Sequence, residues 1–198
     1  LEFRGADATA TVADVIVGGS GADKIGGGVN ASAAGDTLTG GAGSDIFFFR
    51  TRAEAIGDGL TTNATNTLEM DRITDFSAGV DKIQLGVGAA AFGTGVAFTS
   101  ATTATVTAAT GGAGDLADIA ALVTAAAGAF TEAASTSANA NIYIYTAGAG
   151  ANAAINGHTY LILEDNSGTI TAADTWIDIT GVVGTVSASD FVFGNLFA

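Results

Sequence analysis

Large apolar residues return at a near-regular interval along the first quarter of the chain, at Ile16, Ile25, Leu38 and Phe47. An aspartate stands two places before each, at Asp14, Asp23, Asp36 and Asp45, and glycine-rich runs fill the gaps. Gly18-Gly19-Ser20-Gly21-Ala22-Asp23-Lys24-Ile25-Gly26 and Gly40-Gly41-Ala42-Gly43-Ser44-Asp45-Ile46-Phe47-Phe48 both follow G-G-x-G-x-D-x-U-x, with U a large apolar residue. A stretched copy lies between them, opening at Gly27-Gly28-Val29 and closing at Asp36-Thr37-Leu38-Thr39, with Ala34 where a glycine is expected. Asp14-Val15-Ile16-Val17 is the tail half of an earlier copy.

This period predicts a parallel β-roll. Each x-U-x triplet is a short strand with U turned inward, because side chains alternate along a strand. Each G-G-x-G-x-D hexad is a turn whose glycines permit positive φ and close backbone approach. Two nonapeptides complete one coil, so turns of alternate copies stack on the same edge. Asp14 and Asp36 are expected on one edge, Asp23 and Asp45 on the other. Stacked carboxylates, with carbonyls from turn glycines such as Gly19, Gly21, Gly41 and Gly43, make an all-oxygen donor set. That set suits Ca2+, a hard cation taking six to eight oxygens.

The remaining pattern is mostly β. Residues 1–13 read as a lead-in whose first three residues carry no structural weight, residues 14–50 as the roll, and residues 51–198 as a β-rich, sandwich-like domain with one α-helix. Ile46-Phe47-Phe48-Phe49 is expected to be the last strand of the roll, its aromatics covering the open end. A short helix is expected within residues 51–58 and a loop over 60–66. Residues 71–85 read as strand, Ser-Ala-Gly turn, strand. Further strands are expected near 96–99, 104–107, 141–145, 158–164, 175–180 and 191–193. Gly111-Gly112-Ala113-Gly114 is a turn, Asp115 an N-cap, and residues 116–127 a helix whose apolar spacing packs it on a sheet.

Charge narrows the function. The net charge is −14, with six lysines and arginines in all and none after Lys82. Phosphate backbones need Lys and Arg, so nucleic acid is excluded as a partner. So is direct attraction to bare anionic membrane, and no apolar run approaches the ~20 residues of a membrane helix. A cation-rich medium outside the cell would relieve the self-repulsion. The chain has no cysteine, hence neither disulfides nor thiolate metal sites. No signal peptide is visible, residue 1 is not methionine, and the chain reads as a fragment.

Catalytic patterns are missing. His158 is the single histidine and reads as a partly exposed strand residue, which leaves zinc without a ligand set. There is no G-x-S-x-G elbow, P-loop or complete dinucleotide fingerprint. Asp165-Asn166-Ser167-Gly168 hints at a calcium loop, but Trp176 stands where an EF-hand places its glutamate.

The repeats resemble the RTX (repeats-in-toxin) calcium-binding repeats of bacterial proteins exported by the type I system. Residues 71–85, with Ile73-Thr74-Asp75-Phe76 followed by Gly79-Val80-Asp81-Lys82-Ile83-Gln84-Leu85, resemble the segment after the repeats in serralysin-type C-terminal domains. That resemblance implies that Asp75 helps complete calcium sites at the end of the roll, with Asp71 and Asp81 as further candidates. Asp190-Phe191-Val192-Phe193 resembles the uncleaved C-terminal signal of type I export, and it also reads as a final edge strand. The resemblance implies a non-catalytic, calcium-binding C-terminal module of a secreted bacterial surface protein of the S-layer kind. Expected partners are calcium ions, copies of itself and the type I secretion apparatus. The alternative is the export and calcium-binding tail of a secreted protease or lipase.

Overall fold

A computed structural model describes residues 1–5, 13–29, 35–55, 69–89, 92, 97–100, 102–111 and 116–194. The strands in chain order are β1 (Glu2–Arg4), β2 (Val15–Ser20), β3 (Lys24–Gly26), β4 (Thr37–Ala42), β5 (Ile46–Phe49), β6 (Arg72–Ile73) and β7 (Lys82–Leu85), then β8 (Gly88–Ala89), β9 (Ala97–Phe98) and β10 (Thr103–Thr110). Helix α1 (Ile119–Ala127) follows, then β11 (Asn139–Thr146), β12 (Thr159–Leu163), β13 (Thr175–Asp178) and β14 (Phe191–Phe193). No helix among the described residues is long and apolar enough to cross a membrane.

The repeats wind between two sheets. A five-stranded sheet runs β1-β3-β5-β7-β14, parallel throughout. A mixed seven-stranded sheet runs β10-β11-β12-β13-β6-β4-β2. Registers follow the repeat: Ile16 sits beside Leu38, and Ile25 beside Phe47. Ile25, Leu38 and Phe47 are fully buried, and Ile16, on the outermost coil, is half-buried against the same core. Lys24 and Thr37 point outward but are also half-buried, because strands stacked on either side shelter their stems.

The stack does not stop at Phe49. β7 pairs in parallel with β5, Phe47 opposite Ile83, and β6 pairs with β4, Leu38 opposite Ile73. Residues 71–85 are therefore one further coil, and their two strands join different sheets instead of pairing with each other. Asp71-Arg72-Ile73 and Asp81-Lys82-Ile83 keep the D-x-U spacing of the repeats without the glycine turns. At the other end Glu2–Arg4, expected to carry no structural weight, forms β1 in register with Lys24–Gly26. The bulky Phe48 is buried because Gly26, its neighbour on the next coil, leaves room for the ring.

The last third extends the seven-stranded sheet. β12 pairs antiparallel with both β11 and β13, and β13 rejoins the roll through Asp178 beside Arg72. One core cluster runs from Ile25, Leu38 and Phe47 to Leu161, Ile177 and Phe193. A second, on the opposite face of β11–β13, packs Ile119, Leu122 and Ala126 of α1 on Tyr143, Tyr145, Tyr160 and Trp176. The helix starts later than its spacing suggests: Asp118 is the N-cap, its side chain accepting the Ala121 amide at 2.8 Å. Asp115, the expected cap, lies outside the described residues, as do 56–68 and most of the 111–114 turn.

Candidate metal centre

The repeat turns stack edge on edge. Gly19 lies beside Gly41 in the β2–β4 register, and Gly21 N donates to Ala42 O at 2.5 Å. Gly41 (φ 94°) and Gly43 (φ 143°) need glycine twice over, for their dihedrals and because a Cβ would overlap the carbonyl oxygens of Gly19 and Gly21 on the adjacent coil. Two turns thus meet through backbone alone, with carbonyl oxygens facing the joint.

The aspartates form ladders along the two edges. On one edge Asp14 N donates to Asp36 Oδ1 at 2.7 Å, and Asp36 N to Asp71 Oδ1 at 2.8 Å. On the other, Asp23 N donates to Asp45 Oδ1 and Asp45 N to Asp81 Oδ1, both at 2.9 Å. Each carboxylate thereby holds the backbone of the coil before it. The second oxygen of Asp23 and of Asp45 turns toward the first glycine of its own repeat, Gly18 and Gly40. The N-terminal amine of Leu1 lies 3.0 Å from Asp23 Oδ1.

Asp75 plays a different part. It is not a rung of either ladder; its two oxygens accept the amides of Gly40 and Gly41, at 2.9 and 2.8 Å, closing over the turn of the third repeat. Asp81 also accepts Ser77 N at 2.8 Å. Every aspartate of the four repeats and of residues 71–85 therefore sits on the edge of the roll, in contact with a turn or a neighbouring rung.

Stacking perturbs the acids. Burial raises the Asp36 carboxyl to about 6, with the nearby Asp14 carboxylate adding to the shift and the Asp14 amide opposing it. Burial also raises Asp45; the Asp23 amide opposes this, and the carboxylates of Asp81, Asp23 and Asp75 reinforce it. The donors that fit a cation here are carboxylate and carbonyl oxygens only, the chemistry of a calcium or magnesium site.

Two acids extend the edges where no glycine repeat marks them. Asp190, fully buried, accepts Gly79 N at 2.8 Å, lies 3.6 Å from Lys82 Nζ and forms a reciprocal cap with Ser187. Asp178, also buried, meets His158 Nδ1 at 2.8 Å and Arg72 Nε at 3.6 Å. His158 is thus tied to a carboxylate at the join of roll and C-terminal strands. The signal for Asp190 was its place just before the apolar pair Phe191 and Phe193; the one for Asp178 was absent, because its neighbours are brought together only by the β13–β6 pairing.

A tighter acidic group lies away from the roll. Oxygens of Glu164, Asp165 and Asp174 fall within 4.8 Å of one another, the one such group among the described residues. These acids also organise the 165–174 loop: Glu164 accepts Ser135 N and Gly168 N, and Asp174 accepts Asp165 N and Thr171 N. Burial raises Glu164, and raises Asp174 to about 6.

The fold and this edge define a parallel β-roll carrying ladders of aspartate-terminated turns. Residues 6–134 match the family model described as Peptidase M10 serralysin C terminal, and the chain belongs to that family. It corresponds to the non-catalytic C-terminal segment of those peptidases. No curated protein matches the chain.

Proposed function

We propose that this chain is a calcium-dependent folding module from the C-terminal end of a secreted bacterial protein. The observation that carries this reading is the same-edge stacking of Asp14 with Asp36 and Asp71, and of Asp23 with Asp45 and Asp81. Asp14, Asp23, Asp36 and Asp45, with carbonyls of Gly19, Gly21, Gly41 and Gly43, would hold the ions, and Asp75, Asp71 and Asp81 would complete the last coil. Calcium bound there supplies positive charge between carboxylates that otherwise repel. The chain does the rest: glycine turns bring the coils into backbone contact, and the aspartates pin successive amides. The strands are short and the glycines lose much entropy on ordering, so apolar burial alone leaves the roll marginal. Ions that bind the folded form only would add about 2.7 kcal/mol per site at a hundredfold excess over Kd.

Of the two parents this module could serve, the family match favours a secreted hydrolase, a protease above all, whose catalytic part is separate from these residues. The roll would stay unfolded at low intracellular calcium, pass through a type I exporter, and fold outside. Residues 188–198 would belong to the export signal; normal export of a fused passenger lacking them would remove that part of the reading. A surface-lattice parent is the second reading, supported by the uncharged edge strand β10.

The test is calcium titration of EDTA-stripped protein followed by far-UV circular dichroism. β signal is expected to rise with calcium, and Asp23→Ala and Asp45→Ala to move the midpoint to higher calcium. A fully folded roll in EDTA, or unmoved midpoints, would reduce the repeats to a scaffold.

A further inference from the structure

β10 ends the seven-stranded sheet, and among the described residues no strand pairs with its outer side. Its inner side is committed: Thr103 N donates to Ala138 O at 3.0 Å and Gly111 N to Thr146 O at 2.7 Å, in a parallel register with β11 running from Thr103–Asn139 to Thr110–Thr146. In a parallel ladder alternate residues bond to the same side. The amides and carbonyls of Ala104, Val106, Ala108 and Thr110 therefore face outward from the sheet edge. Thr103, Thr105, Thr107, Ala108 and Thr110 are exposed. The short helical turn at Ala188–Asp190 lies alongside β10, and among the described residues no backbone hydrogen bond joins the two.

Free edges are ordinarily guarded by charges, proline, bulges or brevity. This one has eight residues and carries no charge or proline. The surrounding stretch, residues 83–114, contains no charged side chain in a protein of net charge −14. Two copies meeting here would bring no carboxylates of this stretch together.

We infer that β10 pairs with β10 of a second copy of this chain, antiparallel about a two-fold axis perpendicular to the sheet. Centring that axis on Val106 sets Thr103 opposite Ala109, Ala104 opposite Ala108, and Thr105 opposite Thr107. Every facing side chain is small, and each pair shares a face of the continued sheet. The Thr103 and Thr105 hydroxyls are held back by Asn139 Oδ1, at 3.2 and 3.0 Å, so methyl groups meet across the joint. One strand pair is smaller than a standard stable interface, so the dimer is weak by itself and serves repeated arrays or tethered copies. This deepens the self-association reading and is independent of the calcium sites in the roll.

Sedimentation velocity on the calcium-loaded protein over a range of concentrations tests the pairing. A reversible dimer is expected, weakened about tenfold or more by Ala108→Pro, which removes an outward amide and no β10–β11 bond. Thermal melting of the variant is expected to stay near that of the parent. In this cysteine-free chain the double variant Thr105→Cys/Thr107→Cys, whose two sites face each other across the axis, should oxidise to a disulfide dimer, while Val15→Cys, exposed on the strand at the other end of the sheet, should not. A strictly monomeric parent would overturn both self-association and this edge. Dimers that resist Ala108→Pro and are not cross-linked by Thr105→Cys/Thr107→Cys would overturn the edge and leave self-association standing.

Discussion

The amide of Asp45 donates to Oδ1 of Asp81 at 2.9 Å, across 36 residues of chain, and so fastens the third repeat to a coil that has no glycine repeat of its own. Asp81 is buried and takes the Ser77 amide on its other oxygen. Asp81→Ala is expected to leave both amides without this partner, at about 1–3 kcal/mol for each left buried. Asp81→Asn, which keeps an acceptor, should cost less in EDTA. Urea unfolding of the two variants compares them; equal losses would mean that the hydrogen bonds do not carry the effect.

Close approach can be separated from dihedral preference by two alanines. Gly43 combines φ 143° with contact to the Gly21 carbonyl, whereas Gly157 has φ 79° and open space around its Cβ position. Gly157→Ala should cost roughly 1–2 kcal/mol, the left-handed penalty alone. Gly43→Ala should cost clearly more and should raise the calcium midpoint, because the two turns must part. Similar losses at both positions would show that the coils tolerate separation.

Acid should stabilise the cation-free protein. Asp36 and Asp174 are both raised from 3.8 to about 6 on folding, chiefly by burial. The folded state then holds protons that the unfolded state has released. Their stabilising contribution is complete below pH 3.8 and is lost as pH rises through about 6. In EDTA the melting temperature is therefore expected to be higher at pH 5 than at pH 7.5. Calcium should reverse the order, since a cation requires the ionised carboxylate. A lower melting temperature at pH 5 in EDTA would contradict the assignment.

Calcium removal should be felt far from the roll. Trp176, the single tryptophan, is buried on the α1 side of β13, its Nε1 donating to Thr171 O at 2.9 Å. Yet β13 pairs with β6, and Ile177 beside it shares a core with Leu38 and Phe47. Tryptophan fluorescence and circular dichroism should therefore change together during EDTA unfolding. Two separate transitions would instead mark residues 14–50 as a unit that folds apart from the rest.

The sequence by itself determined the roll. Asp14, Asp23, Asp36 and Asp45 at near-constant distance from Ile16, Ile25, Leu38 and Phe47 dictate which residues face inward and which aspartates share an edge, since both follow from local spacing and strand alternation. The apolar spacing also marked α1 and its sheet-facing side. Tertiary structure decided where the stack ends. Asp71-Arg72-Ile73 and Asp81-Lys82-Ile83 resemble a hairpin locally and become a coil only because β4 and β5 offer free parallel edges. Asp178 and Asp190 reach the aspartate edges through β13 and β14, brought there from more than a hundred residues beyond Asp71 and Asp75. The outer edge of β10 likewise exists only once β11 has taken its other side. Spacing along the chain encodes local turns and faces, whereas pairing partners depend on which edges remain open after the rest has folded.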